Sequence, residues 1–303
     1  MNYNIRRTIM VKIKSYTAFL FILLTMSSCQ FSEDCNYVGN VQLIMDWESM
    51  WGNLLKPDSL TALFYRNGNL NTKNALLGDT IYENIPSGET EMIIYNQAEG
   101  TMSTGLDIYT NGELHLPTYF EGNIRAVNEC PMICGFNSSL NVPIESTVKQ
   151  LVTPLPIVKQ MIFIVHIIRE GVTGNITSCE ASLSGIATGY SLSRQEEIRS
   201  KATVFFPLER DTKEEEEDYK HSLFVLGVNP AKDGEESISK KLSVTVTLDD
   251  GEVKSEDVDI TAELENFTAN VFKCEVNVKI TSLSTTVEIA SWKQGAWNQI
   301  IIQ

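Results

Sequence analysis

Cys29 is the residue whose chemistry is easiest to read, because of what stands before it. Arg6, Arg7, Lys12 and Lys14 make a positive start, and Ala18-Phe-Leu-Phe-Ile-Leu-Leu-Thr-Met26 makes an apolar run. Ser27 and Ser28, both small, lead into the cysteine. This is the layout of a secretory signal with its cleavage point. The run is nine residues long, too short for a bilayer, which takes roughly 20. The segment resembles the bacterial lipobox, in which signal peptidase II cuts before a cysteine whose thiol then carries lipid. Met26 stands where leucine is commoner. The alternative is an ordinary signal peptide and an incidental cysteine. Met10-Val-Lys-Ile-Lys14 offers a second charged start.

Other reactive residue types are scattered. Cys35, Cys130, Cys134, Cys179 and Cys274 remain once Cys29 is set aside. Cys130-Pro-Met-Ile-Cys134 is a C-x3-C without a matching second pair, whereas a zinc site needs further ligands at regular spacing. Buried thiols, with one disulfide among them, are expected, and no metal. His115, His166 and His221 have no nucleophile beside them in sequence. There is no G-x-S-x-G, no H-E-x-x-H, no phosphate loop and no Gly-rich dinucleotide turn. Triads and carboxylate pairs that converge only in space leave no such trace. A non-enzymatic chain without cofactors is expected. Trp47, Trp51, Trp292 and Trp297 suit either a sugar-stacking platform or core anchors.

Charge narrows the partners. Cleavage before Cys29 removes four cations and no acid, so 275 residues remain and the formal charge moves from −15 to −19. That balance excludes nucleic acid, whose phosphates demand Lys and Arg surfaces. It also excludes adhesion to anionic lipid by charge alone. The longest later apolar run, Met161-Ile-Phe-Ile-Val-His-Ile-Ile168, reads as a buried strand. Membrane attachment then rests on lipid at Cys29. Asp211-Thr-Lys-Glu-Glu-Glu-Glu-Asp218 reads as a solvated loop tip; it lacks the spacing of a calcium loop.

The elements that must carry these residues are strands. Leu242, Val244, Val246 and Leu248 alternate with Ser243, Thr245 and Thr247, the period of a half-buried strand. Asp250-Gly251 then turns the chain into Val253–Ile260, a hairpin. Gly39–Asp46, Leu60–Arg66 with the turn Asn67-Gly68, and Glu91–Tyr95 after Ile85-Pro-Ser-Gly88 read the same way. Val276, Val278 and Ile280 alternate again. Thr286–Trp292 and Trp297–Gln303 form an expected last pair, joined by Lys293–Ala296. Ser193–Ser200 and Thr261–Asn266 are the two expected short helices. Many short strands between turn signals point to an all-β sandwich fold. Gly135, Ser138, Ser139, Pro143, Pro154 and Pro156 mark a boundary. The expected division is residues 1–28 signal peptide, 29–36 lipidated tether, 37–145 first β-sandwich and 146–303 second β-sandwich.

Several segments together resemble the fimbrillin-like surface lipoproteins of the Bacteroidales, within a group of unknown function. Val41-Gln-Leu-Ile-Met-Asp-Trp47 is similar to their first strand and Leu60-Thr-Ala-Leu-Phe-Tyr65 to their second. Met92-Ile-Ile-Tyr-Asn96 is similar to the strand after their Pro-Gly turn. Ser178-Cys-Glu-Ala-Ser-Leu-Ser-Gly-Ile-Ala-Thr-Gly-Tyr190, Leu226-Gly-Val-Asn-Pro230, Leu242–Gly251 and Ser291-Trp-Lys-Gln-Gly295 follow in the family's order.

The resemblance implies two transthyretin-like or Ig-like β-sandwich domains in tandem behind a lipid anchor. It implies an outer membrane lipoprotein, exposed on the cell surface or built into fimbriae. It also implies partners that are other fimbrial subunits, joined by strand exchange, or a host or glycan ligand. Strand exchange is β-augmentation, in which an open edge takes a strand from its neighbour. The candidate donor is Trp297–Gln303, with Trp297, Ile300 and Ile302 as anchors; an ordinary last strand is the alternative. Arg66, before the Asn67-Gly68 turn, is the candidate for protease trimming. Gln30-Phe-Ser-Glu-Asp34 partly resembles a surface-export signal. Asp58-Ser-Leu60 and Asp79-Thr-Ile81 resemble the pattern these bacteria O-glycosylate, at Ser59 and Thr80. The leading expectation is a structural or adhesive fimbrial component, and the alternative a glycan-binding lipoprotein of a polysaccharide-uptake system.

Overall fold

A computed structural model describes residues 37–47, 56–211, 217–232, 234–265 and 267–296. From Val38 on, these belong to one compact unit. The strands run β1 (Val38–Met45), β2 (Leu60–Arg66), β3 (Asn69–Leu76), β4 (Thr80–Pro86) and β5 (Gly88–Tyr95). Four short ones follow: β6 (Met102–Thr104), β7 (Glu113–His115), β8 (Thr118–Glu121) and β9 (Ile124–Val127). Next come β10 (Cys134–Val142), β11 (Thr147–Val152), β12 (Leu155–Pro156), β13 (Lys159–Glu170) and β14 (Ile176–Ile186). Then β15 (Gly189–Ser191), β16 (Glu196–Ile198), β17 (Ala202–Pro207), β18 (Glu209–Arg210) and β19 (Asp218–Val225). The last are β20 (Lys241–Leu248), β21 (Val253–Asp259), β22 (Val271–Thr281) and β23 (Thr285–Gly295). One short helix, Thr261–Glu265, precedes β22.

The fold is all-β. In the first sandwich, sheet β11-β1-β4 packs on sheet β12-β10-β5-β2-β3 around Val41, Leu43, Phe64, Met92 and Ile94. In the second, β18-β19-β13-β22-β23 packs on β21-β20-β14-β17-β9-β8 around Phe163, Val165, Leu183, Val244, Phe206 and Val276. Each such side chain contributes about 1.5–3 kcal/mol through removal from water. The alternation read in β20 is real: Leu242, Val244, Val246 and Leu248 are buried and their neighbours are not.

β2 and β5 are buried on both faces. Ala62, Phe64, Met92 and Ile94 face the first core. Leu63, Tyr65, Ile93 and Tyr95 join the second. This explains their unbroken apolar runs, since a strand covered on both sides loses its polar alternation.

The first half of the chain lends strands to the second sandwich. The excursion between β5 and β10 carries β8 and β9 into a sheet of the second sandwich, where β9 pairs in parallel with β17. It also carries β6 and β7 into a small sheet, β16-β15-β7-β6. The expected division at 145/146 falls between β10 and β11. Yet β11 pairs in parallel with β1, from Asn40↔Thr147 to Met45↔Val152, and so completes the first sandwich.

Three expectations are corrected. Ser193–Ser200 is no helix: Ser191 pairs with Glu196 and Gly189 with Ile198, and Gln195 (φ 53°) makes the turn. Lys293–Gly295 is no turn: these residues continue β23 and pair with Lys273, Phe272 and Val271. Cys130, Cys134, Cys179 and Cys274 are all free and buried, so no disulfide joins the described cysteines.

Candidate functional site

A cleft of about 250 Å³ opens where the first sandwich hands the chain to the second. Its walls come from Pro156 and Ile157, the start of β13 at Lys159, the β15–β16 hairpin and the loop at Asn229 and Pro230. The hairpin presents Tyr190 opposite Glu197 in register.

Glu197 is held from the loop. Its Oε2 accepts the Asn229 backbone N–H at 2.7 Å, and the Val228 N–H also donates to it. Gly227 makes room for it, since a Cβ there would lie 2.1 Å from the Glu197 carboxyl carbon. Asn229 takes a left-handed backbone (φ 49°), which asparagine tolerates better than most residues. Its side-chain amide donates to Gly185 O at 2.7 Å and Ser200 O at 2.6 Å. Gly185 itself sits at φ 77°, in the bulge that shifts β14 against β17.

Lys159 stands across the cleft. Its Nζ donates to Ala269 O at 2.9 Å and lies over the Phe267 ring at 5.4 Å. Burial pulls the Lys159 ammonium below the usual lysine range, with the Glu197 charge opposing that shift. Burial likewise pushes the Glu197 carboxyl up, against the Asn229 hydrogen bond and the Lys159 charge. The two feel each other through space without forming an ion pair. At the rim, Glu196 is held low by Arg194, which donates at 2.7 Å, and by Lys232. Arg199 is taken up by Glu235 at 2.8 Å. The arrangement places a half-buried donor and a half-buried acceptor in the lining of one small cleft, suited to binding a polar molecule.

The residues singled out from the sequence lie elsewhere. Cys29, Trp297, Ile300 and Ile302 fall outside the described residues, as do Trp51 and Cys35. Ser59 is exposed just before β2. Thr80 opens β4 on the opposite sheet and its hydroxyl donates to Gly78 O at 3.0 Å. Trp47 follows β1 in the first sandwich; Trp292 is on β23 in the second, stacked on Phe272. They form no shared platform. Each histidine finds a carboxylate instead: His115 Glu113 at 2.9 Å, His166 Asp218 at 2.8 Å, His221 Glu129 at 2.8 Å. No cluster of three metal-ligating side chains occurs among the described residues. No helix among them is long and apolar enough to cross a membrane.

Sequence reasoning missed Lys159, Tyr190 and Glu197. The available signal was the pair of Gly-containing segments, Leu183-Ser-Gly185 and Leu226-Gly-Val-Asn-Pro230, which frame the cleft.

No family model and no curated protein matches the chain. Solved structures do. A candidate adhesin from Bacteroides ovatus superposes with a TM-score of 0.60 at 17% identity, over 80% of this chain and 92% of that one. The fimbrial anchor protein Mfa2 from Porphyromonas gingivalis superposes with a TM-score of 0.54 at 11% identity, over 86% of this chain and 100% of that one. A candidate polysaccharide-binding protein from Bacteroides thetaiotaomicron gives 0.50 at 10%, over 85% and 98%. The chain therefore has the fold of these Bacteroidales adhesin-like and fimbrial proteins.

Proposed function

We propose that this protein is a non-enzymatic, lipid-anchored cell-surface protein, a structural or adhesive component of fimbriae. The observation that carries this reading is the fold shared with a fimbrial anchor protein along that protein's whole length. In this reading residues 1–28 are a signal peptide, Cys29 carries lipid in the outer membrane, and residues 29–36 are the tether. Ser59 and Thr80 are O-glycosylation sites. Subunits join by strand exchange, with Trp297–Gln303 as donor and Trp297, Ile300 and Ile302 as anchors. In its support, β23 is an eleven-residue strand at the edge of its sheet among the described residues, just before that segment. An edge strand offers unpaired backbone groups to a neighbour.

A fatty-acid analogue fed to the producing cells tests the anchor: wild type takes the label and Cys29→Ala does not. A native gel and negative-stain images of the extracted protein test assembly, with ladders or filaments expected. Deleting residues 297–303 leaves a folded monomer that cannot join them; an unfolded product speaks against donor status. An unlabelled wild type with single particles only overturns the reading.

A second reading is a glycan-binding surface lipoprotein serving polysaccharide uptake. It is favoured by the cleft, where half-buried Lys159 and Glu197 line one space without pairing with each other, and by the fold shared with a candidate polysaccharide-binding protein.

A further inference from the structure

We infer that the cleft between Lys159, the β15–β16 hairpin and the Asn229–Pro230 loop is a site for one neutral sugar residue. Adjacent hydroxyls of that sugar accept from Lys159 and donate to Glu197. The inference rests on the second reading above and is independent of strand exchange.

Hydrogen-bonding capacity decides the ligand class. A lysine ammonium has three donors, and Ala269 O takes one of them. A carboxylate offers about four acceptor positions, and the loop amides of Val228 and Asn229 occupy part of these. Lys159 and Glu197, both half-buried, line this one cleft without pairing directly. Polar groups partly withdrawn from water favour hydrogen-bonding partners. A simple anion would suit Lys159 and be repelled by Glu197; a simple cation would meet the reverse. A hydroxyl both accepts and donates, so a pair of them serves both groups at once.

Size and walls agree. At about 250 Å³ the space falls below the roughly 300–1,000 Å³ of drug-sized sites, which fits a single ring. Pro156, Ile157, Tyr190 and Pro230 supply apolar surface for its C–H face. Exposed Gln195 at the rim and buried Asn229 both hold left-handed backbones, and such conformations gather at ligand clamps. The formal charge of −15 selects against acidic saccharides.

The test uses the full mature protein and calorimetric titration with glucose, galactose, mannose, xylose and N-acetylglucosamine, and with glycine as a zwitterion. One or more sugars should bind and glycine should not. Lys159→Met, which keeps the stem over Phe267, and Glu197→Gln, which keeps the shape, should each weaken binding at least tenfold. Gln195→Ala, on the exposed rim, supplies a third variant if either of those fails to fold. Phe205→Ala, on an exposed sheet face outside the cleft, should bind as wild type does. Sugar binding unchanged in the cleft variants overturns the site and leaves the glycan-binding reading standing. Tighter binding of glycine overturns the ligand class. A wild type that binds no sugar here overturns the site. If an array of intact polysaccharides is also blank, the glycan-binding reading falls with it.

Discussion

The Glu197 carboxylate occupies the space that a side chain on residue 227 would need: its Oε2 lies 2.3 Å from where a Cβ on Gly227 would stand. Gly227→Ala must therefore push a half-buried, hydrogen-bonded carboxylate off the Val228 and Asn229 amides. We expect a loss of about 2–3 kcal/mol, read from the urea midpoint. A variant as stable as wild type would show that the hairpin moves freely away from the loop.

Asn229 is expected to tolerate replacement poorly even by its isostere. Asn229→Asp keeps the size and accepts the left-handed backbone, but loses the two hydrogen bonds donated to Gly185 O and Ser200 O. It also sets a second carboxylate near Glu197. The expected loss is about 2–4 kcal/mol. Equal stability of the two proteins above about pH 6 would contradict this account of the loop.

Stability should carry a pH signature from Glu197. Burial raises its carboxyl above the ordinary value of 4.5. The folded chain thus keeps the proton to a higher pH than the unfolded chain. Its contribution is fully present below the ordinary value and is lost as pH rises through the folded value. Glu197→Gln does not titrate, so the variant should gain on wild type as pH rises above the ordinary carboxyl value of 4.5. A difference independent of pH would refute the direction given for Glu197.

The four described thiols should be silent in the native protein. Burial pushes Cys134, Cys179 and Cys274 up to about 12, and raises Cys130 as well. The thiolate is the reactive form, so iodoacetamide at about pH 8 should leave all four unmodified until denaturant is added. Peptide mass mapping reads the result. Native modification, or a disulfide among the four, would count against the core as described.

Tyr65 has a fully buried hydroxyl with no hydrogen-bond partner, its ring edge-on to Tyr109 at 5.4 Å. An unsatisfied buried hydroxyl destabilises. Tyr65→Phe should leave stability unchanged or raise it by up to about 1 kcal/mol. A clear loss would reveal a buried water on that oxygen.

Much of the fold was legible because burial imposes a local period. β20 shows alternation, and β2 coincides with the run Leu60–Arg66 read from sequence. What stayed hidden was set by distant partners. Glu196 and Glu197 favour a helix by propensity, yet pairing with Ser191 and Tyr190 holds them extended. β9 contributes only Ala126 and Val127 to its pairing with β17, too short a stretch for any periodic signal. The cleft draws on Pro156, Lys159, Glu197 and Asn229, positions up to 73 residues apart in the numbering. Only its glycine and asparagine scaffolding marked the sequence.

The lent strands also decide how the molecule answers tension. A pull that would separate the sandwiches must break the ladders of β7 with β15 and β9 with β17 while also emptying a core that both share. The region between the sandwiches therefore behaves as a stiff joint, without the give of a hinge, and drag on one half reaches the other with little slack.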